Sequence, residues 1–151
     1  MYKEILQRSI CSKYIILKKY DKIKHKNQRN KMENVIKEVI PKNMSNMMLD
    51  AEEFIKMYNE DKVELVDVRV AMELKAWQLN FGLKIPANEL PQRLDELPKD
   101  KIIVCACPKS DRSIIARTYL ASIGIESKYL RGGLLDLMDR LKGGKVKDIN
   151  L

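Results

Sequence analysis

The chain has 151 residues, 45% of them hydrophobic and 33% charged, which suits one soluble globular domain with a sizeable core. Its formal net charge of +8 is carried entirely by residues 1–31, where ten Lys/Arg face only Glu4 and Asp21. The high charge therefore describes a basic arm, and it gives no ground for a nucleic-acid surface on the domain that follows. Three cysteines, an odd number at irregular positions, exclude a secreted disulfide framework. The longest apolar run near the N-terminus, Tyr14–Leu17, is far short of a signal segment or of the roughly 20 residues that span a bilayer. The expected setting is the reducing cytoplasm, away from membranes.

In chain order, residues 1–31 come first. The run KKYDKIKHKNQRNK offers almost no apolar stripe and is expected to be disordered. Met32 opens a balanced stretch, MENVIKEVIPKNM, and is an alternative start that would leave the arm untranslated. Residues 32–44 read as a linker, and residues 45–148 as the domain. Met47–Leu49 is a short apolar run closed by Asp50, an N-cap with Glu53 in the capping-box position. A helix follows over Ala51–Asn59, with Phe54, Ile55 and Tyr58 on one face. Val63–Val68 reads as a buried strand, Ala71–Gln78 as a helix, and Asn80–Pro86 as loop with at most a short strand. Glu89–Leu97, with Leu90, Leu94 and Leu97 at i, i+4, i+7, predicts a short helix with Pro91 in its first turn. Lys101–Cys105 is a central strand, Ser113–Ile123 a helix ended by Gly124, Ser127–Leu130 a strand, and Leu134–Lys142 a helix stopped by Gly143 and Gly144. Alternating strands and helices imply an α/β domain with a mainly parallel sheet of about five strands.

Ligands of open parallel sheets collect beyond the carboxyl ends of the strands. Cys107–Arg112 occupies such a place, directly after KIIVC and before SIIARTYLASI. Unpaired amides and the helix dipole favour negative charge there, so a cysteine thiolate facing them is stabilised and more nucleophilic at neutral pH. Lys109 and Arg112 add positive charge, and Ser113 can cap the helix or hold the loop. Metal binding finds little support: Cys105 and Cys107 are spaced C-x-C, and a second ligand pair is missing. A Cys–His hydrolase lacks a base outside the arm's His25. Cys105 continues the apolar strand and reads as a small buried hydrophobe; a resolving thiol is the alternative, at the cost of a strained disulfide.

This setting resembles the rhodanese family of sulfurtransferases. LVDVR (Leu65–Arg69) looks like the family's second-strand motif, CPKSDR (Cys107–Arg112) like its active-site loop, and YLRGGLLDL (Tyr129–Leu137) like its closing strand and Gly-Gly turn. The resemblance implies a three-layer fold with helices flanking the sheet. It also implies a Cys107 nucleophile that takes sulfur from thiosulfate, polysulfide or a persulfide and passes it to cyanide, a small thiol or a protein thiol. No cofactor is implied. Pro108, Lys109, Ser110, Asp111, Arg112 and Ser113 would form the active-site loop. Arg112 would brace that loop or meet an anionic substrate, or else is a solvated helix-start residue. Asp67 and Arg69 would support the site, or else cap the next helix. Gly132 and Gly133 would serve the backbone turn.

Two features depart from the family pattern. WQLNFGLKIPANEL (Trp77–Leu90) lacks the histidine of the Gly-His-Ile-Pro-Gly-Ala-like segment, and Leu137 stands where an aromatic is often found. Related cysteine phosphatases use a loop one residue longer, and neither cysteine here fits it. A non-catalytic module of the same fold is the remaining alternative. The assembly is expected to be a monomer or homodimer.

Overall fold

The computed structural model describes Asn27 and residues 30–151, so the expected arm lies almost wholly outside the described residues. The chain divides between Lys37 and Glu38. In the first unit, residues 30–37 are helical. The second unit starts with helical turns over Pro41–Met44, at the end of the stretch expected as linker, and over Ser45–Met47, at the start of the expected domain.

Met48–Leu49 (β1) ends at Asp50, whose carboxylate accepts from the Glu53 amide at 2.9 Å while Glu53 accepts from the Asp50 amide at 3.4 Å. This capping box starts α1, Ala51–Asn59, where the sequence places it. There follow β2 (Val63–Asp67), α2 (Ala71–Ala76), β3 (Leu83–Lys84), β4 (Ile102–Ala106), α3 (Asp111–Ser122), β5 (Ser127–Leu130) and α4 (Gly133–Leu141). The five strands form one sheet in the order β1-β5-β4-β2-β3, and every pairing is parallel.

Alternation along the strands divides the core into two halves. Val63 and Leu65 of β2 and Val104 and Ala106 of β4 face α1 and α4, packing with Phe54, Ile55, Leu134 and Leu137. Val66, Ile103, Cys105 and Cys107 face the other way, toward Ala116 and Leu120 of α3 and toward Leu90 and Leu97. Sheet and flanking helices make three layers. Leu65 and Val104 have no exposed surface, and burying a side chain of this size stabilises by about 2 kcal/mol.

The expected helix over Glu89–Leu97 is instead two 3-10 turns, Leu90–Gln92 and Leu94–Glu96. Arg93 leaves the helical region at φ −122° and ψ 26°. Pro98 disfavours helical geometry at Leu97, which is extended, leaving too few residues to propagate an α-helix. Leu90 and Leu97 still reach the core. Helix α2 stops at Ala76, short of the expected Gln78, because Trp77 turns extended and its ring goes elsewhere. Helix α3 starts at Asp111, two residues before the expected Ser113. Among the described residues, no helix is long and apolar enough to cross a membrane.

Candidate active site

After β2 the chain moves outward to β3, whereas after β4 it moves the opposite way to β5. The carboxyl ends of β2 and β4 therefore border the topological switch point of the sheet, where a crevice opens. The two ends are joined directly, by the Val68 amide donating to the Ala106 carbonyl at 2.9 Å. The residues expected to carry or support the chemistry lie on these two chain ends: Asp67 closes β2 and Arg69 follows it, and Cys107–Ser113 follows β4.

The loop is shaped from behind by α4. The Leu134 amide donates to the Cys107 carbonyl at 2.8 Å, and the Leu135 amide to the Pro108 carbonyl at 3.2 Å. Ser110 stands at the N-cap of α3, and its carbonyl accepts from the Ile114 amide at 2.9 Å and the Ser113 hydroxyl at 2.8 Å. The Ser110 hydroxyl donates in turn to the Leu130 carbonyl at 3.4 Å. Ser113 thus holds the loop and does not cap the helix. The carbonyls of Cys107, Pro108 and Ser110 are thus engaged, and among the described residues no backbone acceptor meets the amides of Lys109 to Ser113.

This backing requires Gly133. Its φ of +71° belongs to the left-handed region, and a Cβ there would fall 1.8 Å from the Lys109 carbonyl oxygen and 2.5 Å from that of Cys107. The sequence reading assigns Gly132 and Gly133 to a turn alone; Gly133 has the further role of letting α4 close on the Cys107–Arg112 loop. The Gly-Gly pair was visible in the sequence, but the partner backbone was not.

Cys107 has no exposed surface. Its Sγ lies 3.7 Å from Asp111 Oδ1 and 3.7 Å from Ser113 Oγ. Since the Ser113 hydroxyl donates to Ser110, its oxygen can accept from the thiol, as can the Asp111 carboxylate. Cys105, inside β4 and equally buried, is different: burial pushes its thiol up to about 12, so it stays protonated at neutral pH. The sequence reading of Cys105 as a buried strand residue agrees with this.

Two arginine–carboxylate pairs flank the loop. Asp67 and Arg69 are both buried; Asp67 accepts from Arg69 Nη2 at 2.6 Å and from Arg69 Nε at 2.9 and 3.0 Å. Arg69 Nη1 has no hydrogen-bond partner, but the guanidinium stacks on the Trp77 ring with 3.8 Å to the centroid. Arg69 therefore fixes the chain after β2, and its guanidinium is directed to Asp67 and Trp77. Arg112, in the first turn of α3, reaches Glu73 of α2, with Nη1 and Nη2 donating to the two carboxylate oxygens at 2.6 and 2.7 Å. Those hydrogen bonds bring the Glu73 carboxyl down from an ordinary 4.5 to about 2. The sequence reading missed Glu73 entirely. The available signal was a lone acid on the helix after the DVR motif.

Comparison with known proteins agrees with this architecture. Residues 50–139 match the family model described as a rhodanese-like domain. The chain is 32% identical over 81 residues to a sulfurtransferase of Allochromatium vinosum, covering 53% of this chain and 76% of that one. It is 34% identical over 100 residues to the uncharacterized protein YqhL of Bacillus subtilis, covering 66% of this chain and 74% of that one. A solved rhodanese-like domain protein from Staphylococcus aureus superposes with a TM-score of 0.55 at 26% identity, over 60% of this chain and 89% of that one. With its parallel sheet, the cysteine loop at the switch point and a family match over most of the domain, the chain belongs to the rhodanese-like domain family.

Proposed function

We propose that the protein is a sulfurtransferase that carries sulfane sulfur as a Cys107 persulfide. The observation that carries this reading is the loop after β4, where α4 and α3 take up the carbonyls of Cys107, Pro108 and Ser110 and the amides from Lys109 to Ser113 meet no backbone acceptor among the described residues. Such a ring of amides stabilises a thiolate, and then the terminal sulfur of a persulfide; Pro108 contributes no donor.

In the first step the Cys107 thiol gives its proton to Asp111 or to water, and the thiolate attacks the outer sulfur of the donor. With thiosulfate, the sulfur–sulfur bond of the donor breaks and sulfite leaves with its electron pair. In the second step cyanide or a thiolate, on a small molecule or a protein, attacks the outer persulfide sulfur, and the Cys107 thiolate leaves. The scheme is two-step nucleophilic catalysis with ping-pong kinetics, and it uses no cofactor. Because Cys107 is covered in the resting state, the loop must yield to admit a donor. The proposed catalytic domain is residues 45–148, acting in the cytoplasm as a monomer or homodimer.

Intact-mass analysis after treatment with thiosulfate or polysulfide tests the reading: one added sulfur, roughly 32 Da, is expected on Cys107, and Cys107→Ser should lose it together with transfer to cyanide. Full transfer activity in Cys107→Ser would overturn the assignment.

A further inference from the structure

We infer that Glu73 sets which sulfur donors this site accepts, by neutralising Arg112 and leaving an apolar rim to choose donors with an apolar body over small free dianions. The inference rests on Cys107 being the sulfur carrier.

Arg112 is the arginine of the catalytic loop, in the first turn of α3, one residue from the Asp111 that touches Sγ. A thiosulfate dianion arriving at the loop would be attracted most strongly by such a guanidinium, which matches an anion with paired N–H groups. Both of its terminal nitrogens are already held by one carboxylate, at 2.6 and 2.7 Å. The pair is net neutral, so its pull on an incoming anion is that of a dipole and falls off quickly. The two other charged groups of the loop, Lys109 and Asp111, are both exposed and of opposite sign, so they offset each other.

Exposed apolar side chains stand on the three helix starts at this edge, alongside the exposed Arg131 that follows β5. Met72 is 76% exposed and Ile115 is 70% exposed, and Val70, Ile114 and Leu135 are also exposed. Their placement follows from contacts already described. Val70 and Met72 precede Glu73 at the start of α2, and the ion pair brings that helix start to the start of α3. Ile114 and Ile115 lie one turn beyond Ser110 and Asp111 on α3. Leu135 sits where its amide meets the Pro108 carbonyl. All three helix starts open on the same edge of the sheet, the one that holds Cys107. Exposed apolar side chains gathered about a reactive sulfur favour a ligand with apolar surface of its own.

Two donors of the same chemistry separate charge from apolar contact. Thiosulfate is a small dianion that leaves as sulfite. Benzenethiosulfonate is a monoanion with an aromatic body that leaves as benzenesulfinate. In both, Cys107 thiolate attacks the outer sulfur and the leaving group takes the electron pair of the broken bond. Persulfide formation on Cys107 is followed by mass, and each rate is divided by that donor's rate with free cysteine. The wild type should prefer benzenethiosulfonate by about tenfold. Glu73→Gln should erase most of that preference by raising the thiosulfate rate through a lower KM, and Glu73→Asp should restore it. The double variant Met72→Ser, Ile115→Ser should lower the benzenethiosulfonate rate more than the thiosulfate rate. A wild type that favours thiosulfate, or a Glu73→Gln protein that loses rate equally with both donors, would overturn the inference and leave the persulfide reading standing. A wild type that forms no persulfide with either donor would overturn both.

Discussion

Two arginine–carboxylate pairs border the same loop and do different physical work. Asp67 and Arg69 are two residues apart and fully buried, and the arginine is further covered by Trp77. Glu73 and Arg112 are 39 residues apart and about one-third exposed. Removing two charges from water is expensive, and a buried pair is tolerated only when both members stay matched. The first pair is therefore an all-or-nothing part of the framework. The second, wetted by solvent, contributes little to folding and can be altered to change the chemistry at the mouth. Equal chemistry at unequal depth separates scaffold from selectivity.

The sharpest way to break this comparison is to remove one member of the buried pair. Arg69→Ala leaves Asp67 uncompensated in the core and strips Trp77 of its partner, and should cost about 3–5 kcal/mol in denaturant unfolding. A loss as small as that of a surface pair would mean that solvent reaches Asp67 after all.

Next comes the contact between α4 and the Cys107–Arg112 loop. Gly133→Ala must fit a Cβ into the space of the Lys109 and Cys107 carbonyls in a left-handed backbone. The strained backbone alone costs about 1–3 kcal/mol, and the loop must move as well. Sulfur loading of Cys107 should fall by more than the stability loss explains, measured by intact mass at a temperature where the variant is folded. Unchanged loading would mean that the amide ring does not depend on α4.

How much of this could be read from the sequence follows the same division between local and distant partners. The DVR pair is local, and LVDVR showed it, although it did not show that Trp77 would cover Arg69. The capping box at Asp50 and Glu53 is also local and appears where the pattern put it. The parallel sheet and its helices were legible because apolar periodicity is written along each element. The helix expected at Glu89–Leu97 failed because its leucine spacing also suits two 3-10 turns, and the effect of Pro98 on Leu97 decided between them. Glu73 and the further role of Gly133 were not legible at all. Each acts on a residue dozens of positions away, and only the folded chain brings Glu73 to Arg112 or Gly133 to Lys109.

A smaller effect is expected at the exposed pair. Arg112→Ala should change unfolding stability by at most about 1 kcal/mol, since an ion pair about one-third exposed gains little over water. The contrast with Arg69→Ala, measured side by side in one denaturant series, is the direct test of the depth argument. A loss in Arg112→Ala equal to that in Arg69→Ala would erase the distinction.

The smallest effect concerns pH, and its sign is fixed by Glu73. The folded protein holds this carboxyl near 2, chiefly through the Arg112 hydrogen bonds, against an ordinary 4.5. A carboxyl lowered in the folded state adds stability that is fully present above 4.5 and lost as pH falls toward 2. The ion pair is therefore intact throughout the neutral range, and proton uptake by Glu73 cannot release Arg112 there. The ratio of benzenethiosulfonate to thiosulfate loading should accordingly stay flat between about pH 6 and 9. In Glu73→Gln the ratio should be flat too, at its lower value. A wild-type ratio that drifts toward the Glu73→Gln value within that range would show that Glu73 titrates near neutrality, and that a group other than Arg112 governs its charge.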